Sequence, residues 1–265
     1  MSHSTVSEVS PSLIAFPRKK LEFFTQEQLD QLTPALIPKH IAIIPDGNRR
    51  WAEKQNSNHE DGHKHGADII IDTVKAAKEI GIKVITFYTF STENWHRSPE
   101  EVDALMWLIE SYLIAQKDKM IEEGICLETI GCESKLSPSL KHTINETKKA
   151  TAHCSDVTLV LAINYGSRNE ITRALKTIAE KVEKGVLTIN AITEEIVGQC
   201  LDTSQWGDPE LMIRTSGEQR ISNFLIWQLS YSELYVTDVL WPDFKPKHLL
   251  DAIVEYQVRE RRLGN

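Results

Sequence analysis

The chain is 265 residues long, 41% apolar and 26% charged, the make-up of a globular protein that buries roughly 70–75% of its unfolded surface without a disulfide or metal staple. Thirty Lys+Arg against 38 Asp+Glu leave a formal charge of −8, which argues against a general nucleic-acid binder, a class that carries a basic face. Any anionic ligand must therefore be held by a few local cations and backbone amides. Cys126, Cys132, Cys154 and Cys200 lack zinc-site spacing and read as scattered thiols of a reducing compartment. The longest apolar stretches, such as Val157–Ile163, are strand-length and far short of the ~20 residues of a membrane span. The amino terminus begins polar, without a charged lead and apolar core, so it does not read as a secretory signal. The expectation is a cytosolic protein that does not cross a membrane.

Residues 1–39, rich in Ser, Thr and Pro at first, read as a partly flexible extension. One short helix is predicted around Thr25–Leu32, where Thr25 caps and Gln28 answers it. From His40 to the end, strands and helices alternate as a single domain. His40–Pro45 is a buried strand ended by Pro-Asp-Gly, Ala67–Ile80 a helix closed by Gly81, and Val84–Phe90 a β-branched and aromatic strand. Ser98-Pro99-Glu100-Glu101 starts a helix that runs to about Glu123. Strand Ile125–Ile130, helix Pro138–His153, strand Val157–Ile163, helix Asn169–Lys184 and a shorter helix Thr193–Cys200 follow. Leu211–Ile213 and Glu233–Val236 complete the strands, with a helical turn at Asn223–Leu229 between them and a last helix over Lys247–Arg261. This alternation predicts an α/β fold with a mostly parallel central sheet flanked by helices on both faces.

In such a sheet, ligands bind beyond the carboxyl ends of the strands. Four polar clusters leave the predicted strands at that edge: Asp46 to Trp51, Ser91 to Arg97, Asn164-Tyr165-Gly166, and Arg214 to Glu218. Gly47 lets the backbone approach a ligand, and Asn48, Arg49 and Arg50 open a helix whose free N–H groups attract phosphate. Arg50 adds a bidentate contact. Arg214, Arg220 and Ser222 form a second anion-binding set, so the sequence points to two phosphorylated substrates. Asp46 would repel phosphate unless a cation lay between them, which makes it a candidate Mg²⁺ ligand, with Glu233 a distant partner. His63, read on a loop below the cradle, and Asn94 are candidate polar groups. Trp51 and Trp95 stand beside polar clusters, whereas Trp107 and Trp227 are assigned to core packing.

The stretches HIAIIPDGNRRWA, FYTFSTENWHRSPEEV, INYGSR, LMIRTSGEQRISNFLIWQ and YSELYVTDVLWPDF closely resemble the cis-prenyltransferase family, in the family's order. The resemblance implies head-to-tail condensation of isopentenyl diphosphate onto an allylic diphosphate, farnesyl diphosphate in the first instance, to a long-chain product such as undecaprenyl diphosphate for cell-wall glycan synthesis. A short- or medium-chain product and a non-catalytic partner subunit are the alternatives. By resemblance, Asp46 assists Mg²⁺ and the departing diphosphate, Gly47 to Arg50 cradle that diphosphate, and Trp51 and His63 line the same site. Ser91, Thr92 and Glu93 belong to a flexible loop in which Asn94 accepts or relays a proton, flanked by Trp95 and Arg97. Arg214, Arg220, Ile221 and Ser222 hold isopentenyl diphosphate, and Glu233 is the second metal carboxylate. An apolar tunnel walled by Ala67–Ile80 and Val102–Ile121 is implied, as is a homodimer in which Arg262-Leu263-Gly264 reaches the partner. The product is delivered to a membrane, with the enzyme cytoplasmic or peripheral at its inner face. Two positions depart from the family pattern: His59, where Arg is frequent, and Gln219, where bacterial members often have His. The absence of any Asp-Asp dipeptide separates the chain from the all-helical trans-prenyltransferases, and the absence of G-x-G-x-x-G disfavours a dinucleotide-binding enzyme.

Overall fold

Strand β1 (His40–Ile44) is buried at every position, as a central parallel strand covered on both faces must be. In the computed structural model, which describes residues 21–260, β1 lies between β2 (Val84–Ser91) and β5 (Leu211–Arg214). With β3 (Ile125–Ile130), β4 (Val157–Tyr165) and β6 (Glu233–Val236) the sheet runs β3-β4-β2-β1-β5-β6, every pair parallel. Successive side chains of β1 divide between two cores: Ile41 and Ile43 join one cluster, Ala42 and Ile44 the other, the period-two alternation of a pleated strand. The first core is built with α3 (His59–Ile80), α4 (Pro99–Glu122), α5 (Pro138–Thr151) and α8 (Pro246–Val258). The second is closed by Phe224, Leu225 and Leu229. There, Glu170 of α6 (Ser167–Glu183) accepts hydrogen bonds from Tyr165 Oη at 2.5 Å and Gln228 Nε2 at 3.1 Å.

The first and last elements place the extension. Helix α1 (Gln26–Leu29) carries the reciprocal Thr25–Gln28 cap. Residues 21–39, read from sequence as part of a partly flexible extension, pack against the domain. Glu79 of α3 accepts the backbone N–H groups of Glu22, Phe23 and Phe24; Phe24, Leu29 and Leu32 are buried in the main core; and Gln257 of α8 bonds both backbone groups of Thr33. Lys75, itself buried, lies between Glu22 at 2.6 Å and Glu123 at 3.0 Å.

At the base of β1, His40 is 3% exposed. Its Nδ1 donates to Gly207 O at 2.7 Å and its Nε2 faces Thr86 Oγ1 at 2.8 Å. Burial holds the neutral ring, lowering the pKa to about 4. The unfolded chain takes up this proton below about pH 6.5, the folded one only near 4, so stability is lost as pH falls through that window. Between pH 7.5 and pH 5, His40 alone costs about 2 kcal/mol. Denaturant unfolding at the two pH values measures the loss, and His40→Gln, which keeps a donor and an acceptor, flattens the dependence.

Candidate active site

The chain leaves β1 through Pro45, Asp46 and Gly47 and enters α2 (Asn48–Lys54). Gly47 has φ +109°, and a Cβ there would stand 2.9 Å from Leu240 Cδ2 and 3.1 Å from Ser216 Cβ, so only glycine fits this turn. The Asp46 main chain is clamped from the β5 side: its N–H donates to Thr215 Oγ1 at 2.8 Å, and that hydroxyl donates to Asp46 O at 2.6 Å. The carboxylate meets Arg214 Nη2 at 2.8 Å and Arg50 Nη2 at 3.6 Å. Burial pushes the Asp46 carboxyl up, but the Arg214 hydrogen bond and charge, with Arg50 and the Gly47 N–H, outweigh it and hold it below the usual carboxylate range.

Arg214, 4% exposed, also donates to Ser222 Oγ at 3.0 Å and to the Arg220 carbonyl. Arg50 donates to Ser216 O at 3.1 Å and Ser216 Oγ at 2.5 Å. Asp46, Gly47, Arg50, Arg214 and Ser222 line a cavity of about 850 Å³ at the carboxyl edge of the sheet, together with Asn48, Arg49, His63, Ser91, Glu93, Asn94 and Arg97. Asn48 Oδ1, Arg49 Nε, His63 Nε2 and Arg214 Nε, all from lining residues, are buried without a protein partner.

Several expectations are corrected. His63 lies on α3, which starts at His59 after the Asn58 cap and not at Ala67. Gly62 and Gly66, which precede the expected helix start at Ala67, are where α2 leans on α3: a Cβ at Gly62 would run into Asn48 O, and one at Gly66 into the Asn48 side chain. Burial, with the charge of Arg97, lowers the His63 pKa to about 4, so it acts at neutral pH as an uncharged hydrogen-bonding group. Trp51 turns out of the cavity, donating to Asp243 Oδ1 at 2.9 Å and packing 4.5 Å from the His65 ring. Trp95 anchors its turn, donating to Asn164 Oδ1 at 2.7 Å and packing edge-on to Phe90. Residues Thr92–His96, expected as a flexible loop, form a 3₁₀ turn; Asn94 Oδ1 accepts the Ser91 N–H at 3.0 Å, and Glu93 Oε1 accepts Asn223 Nδ2 at 2.8 Å. Thr92 Oγ1 turns to Glu93 Oε2 at 3.2 Å and is not part of the lining.

The Arg220 side chain is 62% exposed and paired with Glu218, outside the cavity lining, while its carbonyl serves Arg214. Ile221 packs against the second core. Asn223–Leu229, expected as a helical turn, is a run of tight turns with positive φ at Ser222, Asn223 and Leu225. Glu233 opposes Leu211 at the amino end of β6, roughly 10 Å along the strands from the level of Arg214, and accepts Arg259 Nη1 at 2.9 Å. It does not join Asp46 within this chain. His59 faces Glu53 at 3.4 Å and lies outside the lining of this cavity, Gln219 is exposed, and Arg262-Leu263-Gly264 lie outside the described residues. Trp107, assigned to the core, is 61% exposed.

Glu101 is the organiser that sequence reasoning missed, because Ser98-Pro-Glu-Glu accounts for it as a helix start. It binds Arg49 and accepts Arg97 Nη1 at 2.8 Å, fixing two guanidinium groups beside the cavity. Burial raises its carboxyl, and the two arginines more than reverse this. Glu101→Ala is expected to raise the KM for an anionic substrate about 10-fold with little change in kcat, since it loosens two binding groups and removes no reacting group; steady-state kinetics checks it.

Below the polar cavity, an apolar cleft of about 80 Å³ runs between the sheet and helices α3 and α4, lined by Ile70, Phe87, Leu108, Ile109 and Tyr112 among others. It shares Pro45, Asn48, His63, Thr89 and Leu105 with the polar cavity. A parallel α/β sheet with cationic groups at its carboxyl edge and an apolar cleft beneath them is a site for anionic ligands that carry an apolar tail.

Comparison with known proteins agrees. Residues 44–264 match the prenyltransferase family described as "Putative undecaprenyl diphosphate synthase", and the chain belongs to that family. It is 46% identical over 244 residues to an isoprenyl transferase of Bacillus subtilis, covering 92% of this chain and 93% of the relative. Identity is 44% over 234 residues to the farnesyl-diphosphate-specific ditrans,polycis-undecaprenyl-diphosphate synthase of Pasteurella multocida, covering 88% and 98%. The crystal structure of lavandulyl diphosphate synthase from Lavandula x intermedia, in complex with dimethylallyl diphosphate, superposes with a TM-score of 0.85 at 36% identity, covering 87% of this chain and all of that one.

Proposed function

We propose that this enzyme condenses isopentenyl diphosphate head-to-tail onto farnesyl diphosphate, forming cis double bonds and releasing a long-chain polyprenyl diphosphate of the undecaprenyl kind. The carrying observation is the Asp46 carboxylate set between Arg214 and Arg50 at the mouth of a polar cavity that opens onto an apolar cleft. The helix α2 amino end, Asn48 and Arg50 take the allylic diphosphate, with its tail directed into the cleft. Arg214 and Ser222 take the diphosphate of isopentenyl diphosphate. Asn94, whose Oδ1 keeps a second lone pair beyond its bond to Ser91, orients the methylene that loses its proton.

Among the described residues no cluster of three carboxylate, His or Cys groups is set to hold a metal. One carboxylate plus substrate phosphates is nevertheless the set that Mg²⁺ accepts, and Asp46 fits it. When bound, Mg²⁺ supplies charge neutralisation for the departing diphosphate. No helix of the described residues is long and apolar enough to cross a membrane; the proposed setting is the cytoplasm, peripheral to the inner face of the membrane. A homodimer is proposed across the open edge of β6, where Tyr231, Leu234 and Val258 are exposed apolar groups. Incubation with farnesyl diphosphate, labelled isopentenyl diphosphate and Mg²⁺ tests the activity. Chromatography of the dephosphorylated product gives chain length, and no labelled polyprenol would refute the proposal.

A further inference from the structure

Three loops that leave the sheet from different strands meet at Asn223. Its Nδ2 donates to Glu93 Oε1 at 2.8 Å, across 130 residues of sequence. Its Oδ1 accepts the Arg168 N–H at 3.0 Å, and its carbonyl accepts the Ser167 N–H at 2.8 Å. The residue sits at φ +64°, next to Ser222 at φ +47°, a left-handed backbone that asparagine tolerates better than most residues. Gly166, at the start of α6, marks how closely the loops approach: a Cβ there would run into Thr92 Oγ1 and stand 2.7 Å from Asn223 Nδ2. From β2, Tyr88 Oη donates to Ser222 O at 3.2 Å and braces the same turn.

The two ends of the Glu93–Asn223 bond belong to different parts of the site. Glu93 stands in the 3₁₀ turn Thr92–His96, which carries Asn94. Asn223 follows Ser222, whose Oγ accepts from Arg214 Nη1 at 3.0 Å. Both residues line the polar cavity. Burial pushes the Glu93 carboxyl up, and the bond from Asn223, with donors of its own turn, reverses that. The bond therefore joins an ionised acceptor to a neutral donor, the stronger kind of hydrogen bond. We propose that Asn223 is a positioning residue that couples the isopentenyl diphosphate subsite to the Asn94 turn through Glu93. The inference rests on the reaction proposed above. A diphosphate seated on Arg214 and Ser222 fixes the backbone at Ser222 and Asn223. Asn223 passes that order to Glu93, and Asn94 is held in register with the methylene of the same substrate. Neither Asn223 nor Glu93 has to touch the reacting atoms.

The test is steady-state product formation from farnesyl diphosphate and labelled isopentenyl diphosphate with Mg²⁺, each substrate varied at saturating levels of the other. Unfolding midpoints are measured on every variant. Glu93→Ala and Asn223→Gly, the latter compatible with the positive φ, are each expected to lower kcat about 10-fold. The KM for farnesyl diphosphate stays within about two-fold. The double variant Glu93→Ala/Asn223→Gly is expected to lose no more than about three-fold beyond either single change, because both break one bond. Asn223→Asp keeps the bond from Arg168 but sets two carboxylates face to face, and it loses at least as much kcat. Adding Glu93→Gln to Asn223→Asp reverses the polarity of the pair at unchanged total charge, and it is expected to recover at least about five-fold. A residue that only touched substrate, or only supported the fold, would not be restored by this exchange. Additive losses in the cycle, no recovery in the exchanged pair, or effects confined to KM each overturn the coupling. Should Asn223→Gly unfold, the exchanged pair decides alone. A wild type that forms no labelled polyprenol instead refutes the reaction on which the coupling rests.

Discussion

Asp46→Ala is expected to lower kcat by about 10²-fold or more, the scale on which removing one preorganised electrostatic group acts. In the proposed reaction the carboxylate meets the departing diphosphate, and Arg214 and Arg50 hold its pKa below the usual carboxylate range. Asp46→Asn separates charge from shape: the amide oxygen still accepts from Arg214, yet the negative charge is gone. Comparable losses in both variants identify charge as the working property, whereas an active Asn variant leaves only positioning. Either change leaves the 4%-exposed Arg214 without its counter-charge, and a stability loss of about 1–3 kcal/mol accompanies it. Unfolding midpoints measured beside kcat keep the two effects apart.

Arg214→Lys is expected to raise the KM for isopentenyl diphosphate at least 10-fold, and Arg214→Ala about 10²-fold. The guanidinium spans Asp46, Ser222 and the Arg220 carbonyl at once. A lysine supplies the charge but not the planar fork, so Ser222 and the following turn lose their tether. Charged hydrogen bonds contribute about 1.5–3 kcal/mol each, so loss of one or two of them gives these factors. The signature is a larger change in this KM than in the KM for farnesyl diphosphate; equal changes in both would place Arg214 outside the isopentenyl subsite.

The six strands were legible because each is a short apolar run closed by turn residues, and all six occur where the pattern puts them. The Pro-led starts of α4 and α5 were legible for the same local reason. Helix α3 was only half legible. Gly62 and Gly66 weaken a helical reading, and nothing local reveals that their missing Cβ atoms make room for Asn48. The site divides along the same line. Asp46, Asn48, Arg50 and Arg214 follow strands and could be placed at the sheet edge from sequence. Arg220 and Ser222 could not be told apart, because positive φ at Ser216, Ser222 and Asn223 aims one side chain inward and the other into solvent. Such backbone is fixed by its surroundings, not by residue preference. Glu233 stands away from Asp46 within the chain for a different reason: a motif carries residue identity, but the end of the strand on which it stands is set by register. Glu101 was hidden behind an expected capping role, in which only its backbone N–H takes part, donating to Ser98 Oγ.

The central place of β1 bears on the order of assembly. Its β2 neighbour is closed over a short stretch of chain, while β5 returns only after most of the protein has been synthesised, and the Asp46–Arg214 pair joins residues 168 apart. Closing the longer loop costs about 1 kcal/mol more than closing the shorter one, and contacts of such separation form late. A nascent chain can therefore shape the β1–β4 half, with Asn48 and Arg50 in place, while Arg214 and the pair it makes with Asp46 do not yet exist. A ligand that bridges the two halves binds only the finished protein, so it protects the β1–β5 seam more than any other part from opening.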